Sequence, residues 1–225
     1  MAKEKRYENK DPSVTQVLGV LRKIGLEFWF KKNTAQFCND ASNKGKEIGK
    51  QIHEAIQGYI TTGEAKVATQ YGDEVMTALK SFMLFKKEHP EFHLENSELK
   101  MHSKLYSCNG TLDCKAVRIE PALRRKTILD WKSGECKHSI NKEGEGEFKY
   151  EVPPVYDEMR YQLSAYVNFY NEIYFDDIKE AYILVLAKDK IAYNLVKMEE
   201  REIHDCFHEV FIPALKIYNY QKENK

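Results

Sequence analysis

Residues 110–134 read GTLDCKAVRIEPALRRKTILDWKSG. Two apolar segments here each end on a carboxylate: Gly110-Thr111-Leu112-Asp113 and Thr127-Ile128-Leu129-Asp130. Short β-branched and aliphatic runs separated by a turn are the pattern of neighbouring strands. Lys132 follows Asp130 by two residues, so strand alternation puts both on one face with Ile128, and Leu129 and Trp131 on the other. Two carboxylates on adjacent strands can hold a hard divalent cation such as Mg²⁺, which prefers oxygen ligands. A cation held there neutralises phosphate charge and lowers the pKa of a bound water, and a nearby ammonium stabilises a developing oxyanion. An Asp-x-Lys alone is common and ordinarily marks a solvated strand edge. Its surroundings have to decide.

Working outward, the chain before Pro90 reads as helical. Val14, Val17, Leu18, Leu21 and Ile24 recur at helical spacing. Ile48, Ile52, Ile56 and Ile60 form a stripe four residues apart, and a third helix is predicted from Val67 to Lys87, with Val67, Tyr71, Val75, Leu79 and Phe82 inward. After Pro90, FHLENSELKMHSKLYS, GTLDCKAVRI and KTILDWKS read as three strands, with Asn109-Gly110 as a tight turn. The polar stretch Ser133–Tyr150 reads as a mobile loop. A helix is expected from Val155 to Asn171, then a hairpin of AYILVLA and IAYNLVKM, then an amphipathic helix carrying Ile203, Phe207, Val210, Phe211, Leu215 and Tyr218. The expected class is α/β, a mixed central sheet flanked by helices with an N-terminal helical region. One domain over 1–225 is expected: a mainly helical part (1–90), a sheet core (91–200) and a C-terminal helix (201–225).

Bulk properties are compatible with this and exclude other classes. The chain has 225 residues, 42% hydrophobic and 31% charged, a composition neither disordered nor membrane-embedded. No apolar run reaches the ~20 residues of a membrane helix. MAKEKRYENKDP has no apolar leader, so a cytoplasmic protein is expected. Cys38, Cys108, Cys114, Cys136 and Cys206 contain no C-x-x-C pair, which argues against a disulfide framework or zinc ribbon. Nor does any tight cysteine cluster near the C-terminus support an iron–sulfur cluster. Formal net charge is zero, but residues 1–50 and 100–138 each carry +5 while 51–99 carries −4 and 139–225 carries −6. The two basic stretches could line one groove.

In order along the chain, His53 in GKQIHEAI, Glu98, GTLDC, ILDWKSG and YQLSAY resemble the elements of the PD-(D/E)XK nucleases, most closely the RecB-like exonuclease branch and the mitochondrial genome-maintenance exonuclease. The resemblance spans about residues 45–171. It implies a restriction-endonuclease-like core and an enzyme that hydrolyses DNA with one or two Mg²⁺ or Mn²⁺ ions. Asp113 and Asp130 would be metal ligands with the backbone carbonyl of Trp131, and Glu98 and His53 would be further ligands, although Glu95 lies close enough to be confused with Glu98. Lys132 would act on the attacking water and the transition state, and Gln162 would orient DNA or that water. Tyr166 would contact the DNA backbone or pack the site, while Leu163, Tyr166, Val167 and Tyr170 also make a core stripe. Arg160 is a candidate phosphate contact. Arg124, Arg125 and Lys126 could grip phosphates or form a solvated hairpin tip, and Lys31, Lys32, Lys44, Lys46 and Lys50 could line a DNA-facing wall. The implied partner is DNA, single-stranded or with free ends, in recombination, repair or phage DNA processing. Two other readings stand beside the exonuclease: an endonuclease of the same fold, and a nucleic-acid-binding module without turnover, against which the acidic positions and Lys132 count.

Overall fold

The computed structural model describes residues 10–67, 70–139, 147–149 and 151–224. Helices α1 (Val14–Leu18), α2 (Ile24–Lys32), α3 (Ala35–Thr62) and α4 (Gly72–Glu88) precede strands β1 (Phe92–Ser103), β2 (Cys108–Glu120) and β3 (Leu123–Gly134). A small hairpin of β4 (Lys137–Ser139) and β5 (Glu147–Lys149) leads to α5 (Asp157–Tyr174), β6 (Glu180–Ala187) and β7 (Tyr193–Glu199). The chain ends in α6 (Glu200–Asp205), a π-helical turn (Cys206–Phe211) and α7 (Ile212–Glu223).

The main sheet has the order β1-β2-β3-β6-β7. Its pairs are antiparallel except β3 with β6. A parallel pair needs a crossover, and α5 supplies it. All eight residues of β6, EAYILVLA, are buried, as a central strand covered on both faces requires. On one face, Leu112, Ile128, Ile183 and Val185 pack with Leu163, Tyr166 and Phe169 of α5 and with Phe207 and Phe211. On the other, Leu129, Trp131, Tyr182 and Leu184 pack with Ile48, Ile52 and Ile56 of α3 and Phe82 and Phe85 of α4. The expected alternation of Ile128 against Leu129 and Trp131 therefore divides two cores. Each isoleucine of the stripe up to Ile56 is essentially inaccessible.

Boundaries moved where local backbone chemistry overrides periodicity. The third predicted helix starts at Gly72, not Val67, because α3 ends on Gly63 at φ +79° and Tyr71 stands left-handed at φ +60°. Residues 133–150 are not one loop: Ser133 and Gly134 extend β3, and the β4–β5 hairpin follows. Residues 140–146 and 150 of that stretch, like residues 1–9, on which the absence of a leader was read, lie outside the described residues.

Asn109-Gly110 is not the turn. The β1–β2 turn is at 104–107, and both residues belong to β2. A Cβ added to Gly110 would stand 3.0 Å from Tyr166 Cε1 and 3.1 Å from Cδ1, so this glycine is the seat of a buried aromatic ring. Gly110→Ala is expected to cost about 1–3 kcal/mol by overpacking, read as a lowered midpoint in urea denaturation with an unchanged slope.

All five cysteines are free thiols, Cys206 being half-buried and the other four buried. Burial pushes Cys108 and Cys114 up to about 12, and the thiolate is the reactive form. At pH 8, iodoacetamide is expected to label Cys206 first and to reach Cys108 and Cys114 only after denaturant is added, which peptide mass mapping resolves.

Candidate active site

The β2–β3 ladder stops at Cys114 paired with Leu129. Asp113 and Asp130 are the next residues on each strand and face one another where the strands part. Trp131 donates its backbone N–H to Asp113 Oδ2 at 2.9 Å across this fork. Both carboxylates are buried, Asp130 completely. Lys132 Nζ lies 2.5 Å from Asp130 Oδ2, on the face that alternation assigned to it.

Glu98 reaches the fork through an unusual backbone. Its φ is +54°, a left-handed conformation that costs a non-glycine residue about 1–3 kcal/mol. Ser97 pairs with Cys114 and Leu99 with Leu112. Cys114 packs into the α3–α4 core and Leu112 into the α5 core. Both strands thus change face at the same rung, between Glu98 and Asp113. Glu95 sits at the neighbouring bulge and pairs with Lys115 at 2.7 Å, which separates it from the fork.

His53 comes from above. It follows Ile52 on α3, and its ring lies edge-on to Trp131 at 6.3 Å. Nδ1 stands 3.1 Å from Glu98 Oε1 and 3.3 Å from Asp113 Oδ1. Burial by itself would lower its pKa, but Asp113 and Glu98 outweigh that and hold it up to about 10. The imidazolium supplies positive charge between two carboxylates, and its ligating nitrogen would have to lose its proton for His53 to hold a metal ion. A Cβ on Gly49, one turn earlier, would stand 3.7 Å from Ser133 Oγ.

The carboxylates differ sharply. Burial opposes ionisation of Asp113, yet the His53 and Lys132 charges hold it below its usual range. Burial pushes Asp130 up to about 7, with Lys132 pulling against it and Asp113 adding to it. Burial would also lower Lys132, but Asp130 and Asp113 keep it an ammonium. Asp130 Oδ1 is buried with no hydrogen-bond partner among the described residues. Such an oxygen is costly, and a cation would satisfy it. His53, Glu98 and Asp113 offer ligand atoms within 4.8 Å of one another and could hold a metal ion.

The remaining expected residues make the following contacts. Gln162 donates from Nε2 to Tyr166 Oη at 2.6 Å. Tyr166 is buried in the α5 core against Gly110, so its ring packs the strand that carries Asp113. Arg160 is bonded to Glu202 of α6. Arg125 lies 3.6 Å from Glu180 and Lys126 2.6 Å from Asp176, and Arg124 is exposed beside them. At about 3.3 Å per residue, Arg124 is ~20 Å along β3 from Asp130. Lys44 pairs with Glu74 and Lys50 with Glu54. Sequence reading did not single out Glu180, a buried carboxylate gripped by Arg118 and Lys197, each at 3.0 Å, as well as by Arg125. An acid at the head of an otherwise apolar strand was the signal.

No family model and no curated protein sequence matches the chain. In structure it is similar to a candidate exonuclease from Eubacterium rectale, with a TM-score of 0.50 and 11% identity over 97% of this chain and 87% of that one. The protein SSO0001 overlaps 58% of this chain and 55% of its own at a TM-score of 0.29 and 12% identity, too little to carry any argument. With the five-stranded mixed sheet and its flanking helices, the first likeness gives the chain a restriction-endonuclease-like fold.

Proposed function

We propose that this protein is a metal-dependent deoxyribonuclease of the PD-(D/E)XK type, RecB-like, acting exonucleolytically on single-stranded DNA or free ends. The whole chain would form one nuclease domain. One observation carries the reading: Asp113 and Asp130 face each other at the strand fork with Lys132 on Asp130 and His53 between Asp113 and Glu98. The likeness to a candidate exonuclease supports the fold on which such a site is built, while the exonucleolytic mode follows the family resemblance, because fold alone does not fix it.

Asp113 and Asp130 would hold Mg²⁺ or Mn²⁺, with the Trp131 carbonyl, Glu98 and His53 completing the set. A bound cation would neutralise phosphate charge and lower the pKa of a water. Kept protonated by its two aspartates, Lys132 fits an electrostatic role: holding the attacking water or the non-bridging phosphate oxygen where negative charge builds up. Tyr166 and Gly110 would fix the strand bearing Asp113, with Gln162 tied to them.

The test uses end-labelled single- and double-stranded linear DNA and a circular control, with and without Mg²⁺ or Mn²⁺. Wild type should degrade linear DNA only with metal, and Lys132→Ala should lose that activity. Absent metal-dependent cleavage, or undiminished cleavage by the variant, would remove the proposal. Degradation of circular DNA would replace the exonuclease with an endonuclease of the same fold.

A further inference from the structure

Helix α2, IGLEFWFKK, has no buried residue among its described side chains. Phe28 is 61% exposed, Phe30 50%, Leu26 45% and, at the start of α3, Phe37 54%. Single exposed apolar residues are ordinary, but four on one short stretch call for a partner. Trp29 is edge-on to Phe30 at 5.2 Å and tilted against Phe37 at 6.1 Å, so the rings form one cluster across the α2–α3 junction. Asn33 Nδ2 donates to the Trp29 carbonyl at 2.9 Å and holds the junction.

The charges choose among occupants. Glu27, the sole acid on α2, is taken by a two-pronged bond from Arg22, each arm 2.8 Å. Lys31 and Lys32 close the helix, and Lys31 Nζ lies 5.8 Å from the Phe28 ring centre. Rings interleaved with ammonium groups match a single-stranded nucleic acid, whose bases stack and whose phosphates need cations. A bilayer is a poorer match: at 3.6 residues per turn, Phe28 points about 160° away from both Leu26 and Phe30, so no single stripe could lie flat in a membrane. The junction is also joined to the acidic fork by a rigid element. Phe37 and His53 stand on the same helix, about 24 Å apart along its axis.

We propose that Trp29, Phe30 and Phe37, with Lys31 and Lys32, form a stacking platform that holds single-stranded nucleic acid outside the cleft while α3 leads it towards His53. The platform rests on the nuclease reading for its substrate, but its test does not depend on cleavage. The chain has two tryptophans, and Trp131 is fully buried, so quenching by a ligand in EDTA reports Trp29. Titration with (dT)₂₀ should quench wild type saturably. Trp29→Ala with Phe37→Ala, followed by the anisotropy of labelled (dT)₂₀, should weaken binding about 10-fold or more. Lys31→Glu with Lys32→Glu should reduce the slope of log affinity against log salt by about 0.7 for each phosphate no longer neutralised. Among the described residues the platform side chains belong to neither core, so circular dichroism should give all variants the wild-type melting profile.

Unchanged affinity in both folded variants would overturn the platform. So would quenching by phosphatidylserine vesicles but not by (dT)₂₀, or a dimer in sedimentation that Trp29→Ala dissolves. Failure of the nuclease reading looks different: no cleavage with Mg²⁺ or Mn²⁺, yet quenching and variant effects intact in EDTA. Normal cleavage with unaltered (dT)₂₀ binding by the variants removes the platform alone.

Discussion

Asp113→Asn is expected to lower metal-dependent cleavage by on the order of a thousandfold, about 4 kcal/mol of transition-state stabilisation, while leaving the protein folded. Asp113 ties together three parts of the fork: His53 at 3.3 Å, the Trp131 N–H at 2.9 Å and, across the gap, Asp130. The amide oxygen of asparagine can still accept from Trp131, so the backbone clamp survives. The negative charge that draws a divalent cation does not. The control is thermal. A cation that binds only the folded state at a hundred times its Kd stabilises it by about 2.7 kcal/mol. Millimolar Mn²⁺ should therefore raise the Tm of wild type by several degrees and leave Asp113→Asn unmoved. A variant that cleaves normally, or that still gains stability from Mn²⁺, would take Asp113 out of the metal site.

Trp131→Ala should be the most damaging single change to stability, at about 3–5 kcal/mol. Trp131 heads the fully buried side chains and packs edge-on to Phe82 at 6.0 Å, between the central strands and α3 and α4. Its indole N–H has no hydrogen-bond partner among the described residues, so the contribution is packing rather than polar bonding. Trp131→Phe should consequently recover most of the loss. For a chain of this size the alanine variant corresponds to a fall of roughly 10 °C in Tm, measurable by calorimetry. Because Trp131 reaches Asp113 through its backbone N–H and phenylalanine keeps an aromatic ring beside His53, Trp131→Phe should cleave at close to the wild-type rate. Equal destabilisation by phenylalanine and alanine would instead mean that the indole makes an essential polar contact.

Much of this geometry is legible in local patterns. The Ile48–Ile60 stripe, the alternation around ILDWK and the buried run AYILVLA each state which side of an element meets a core, because periodicity records burial directly. The order of motifs pointed to His53, Glu98, Asp113, Asp130 and Lys132 together, and the fold brings these five into one cluster. Other features were hidden. Glu98 at φ +54° has no compositional mark, since a glutamate in that conformation is held by its surroundings. Asn109-Gly110 has the chemistry of a turn and lies in a strand, because the glycine answers a neighbouring ring that sequence cannot place. The charges of Arg125, Lys126 and Arg160 looked available for phosphate, yet Glu180, Asp176 and Glu202 sit beside them, partners far away along the chain. Exposure of α2 was invisible for the opposite reason: its apolar residues promise burial that the fold does not provide.

The change of face at Glu98 and Asp113 restricts how the β1–β2 hairpin can align. In an ordinary antiparallel pair, slipping one strand by two residues keeps every side chain on its own side, so only odd slips are forbidden by burial. Here each strand carries its own reversal point. An even slip would set the reversal of β1 opposite an unreversed stretch of β2, driving Leu99 against Cys114 from opposite sides of the sheet. Only one alignment satisfies both cores. The strained rung that gathers the acidic residues therefore also acts as an alignment key, and changes in the length of the 104–107 turn should leave the hairpin's register untouched.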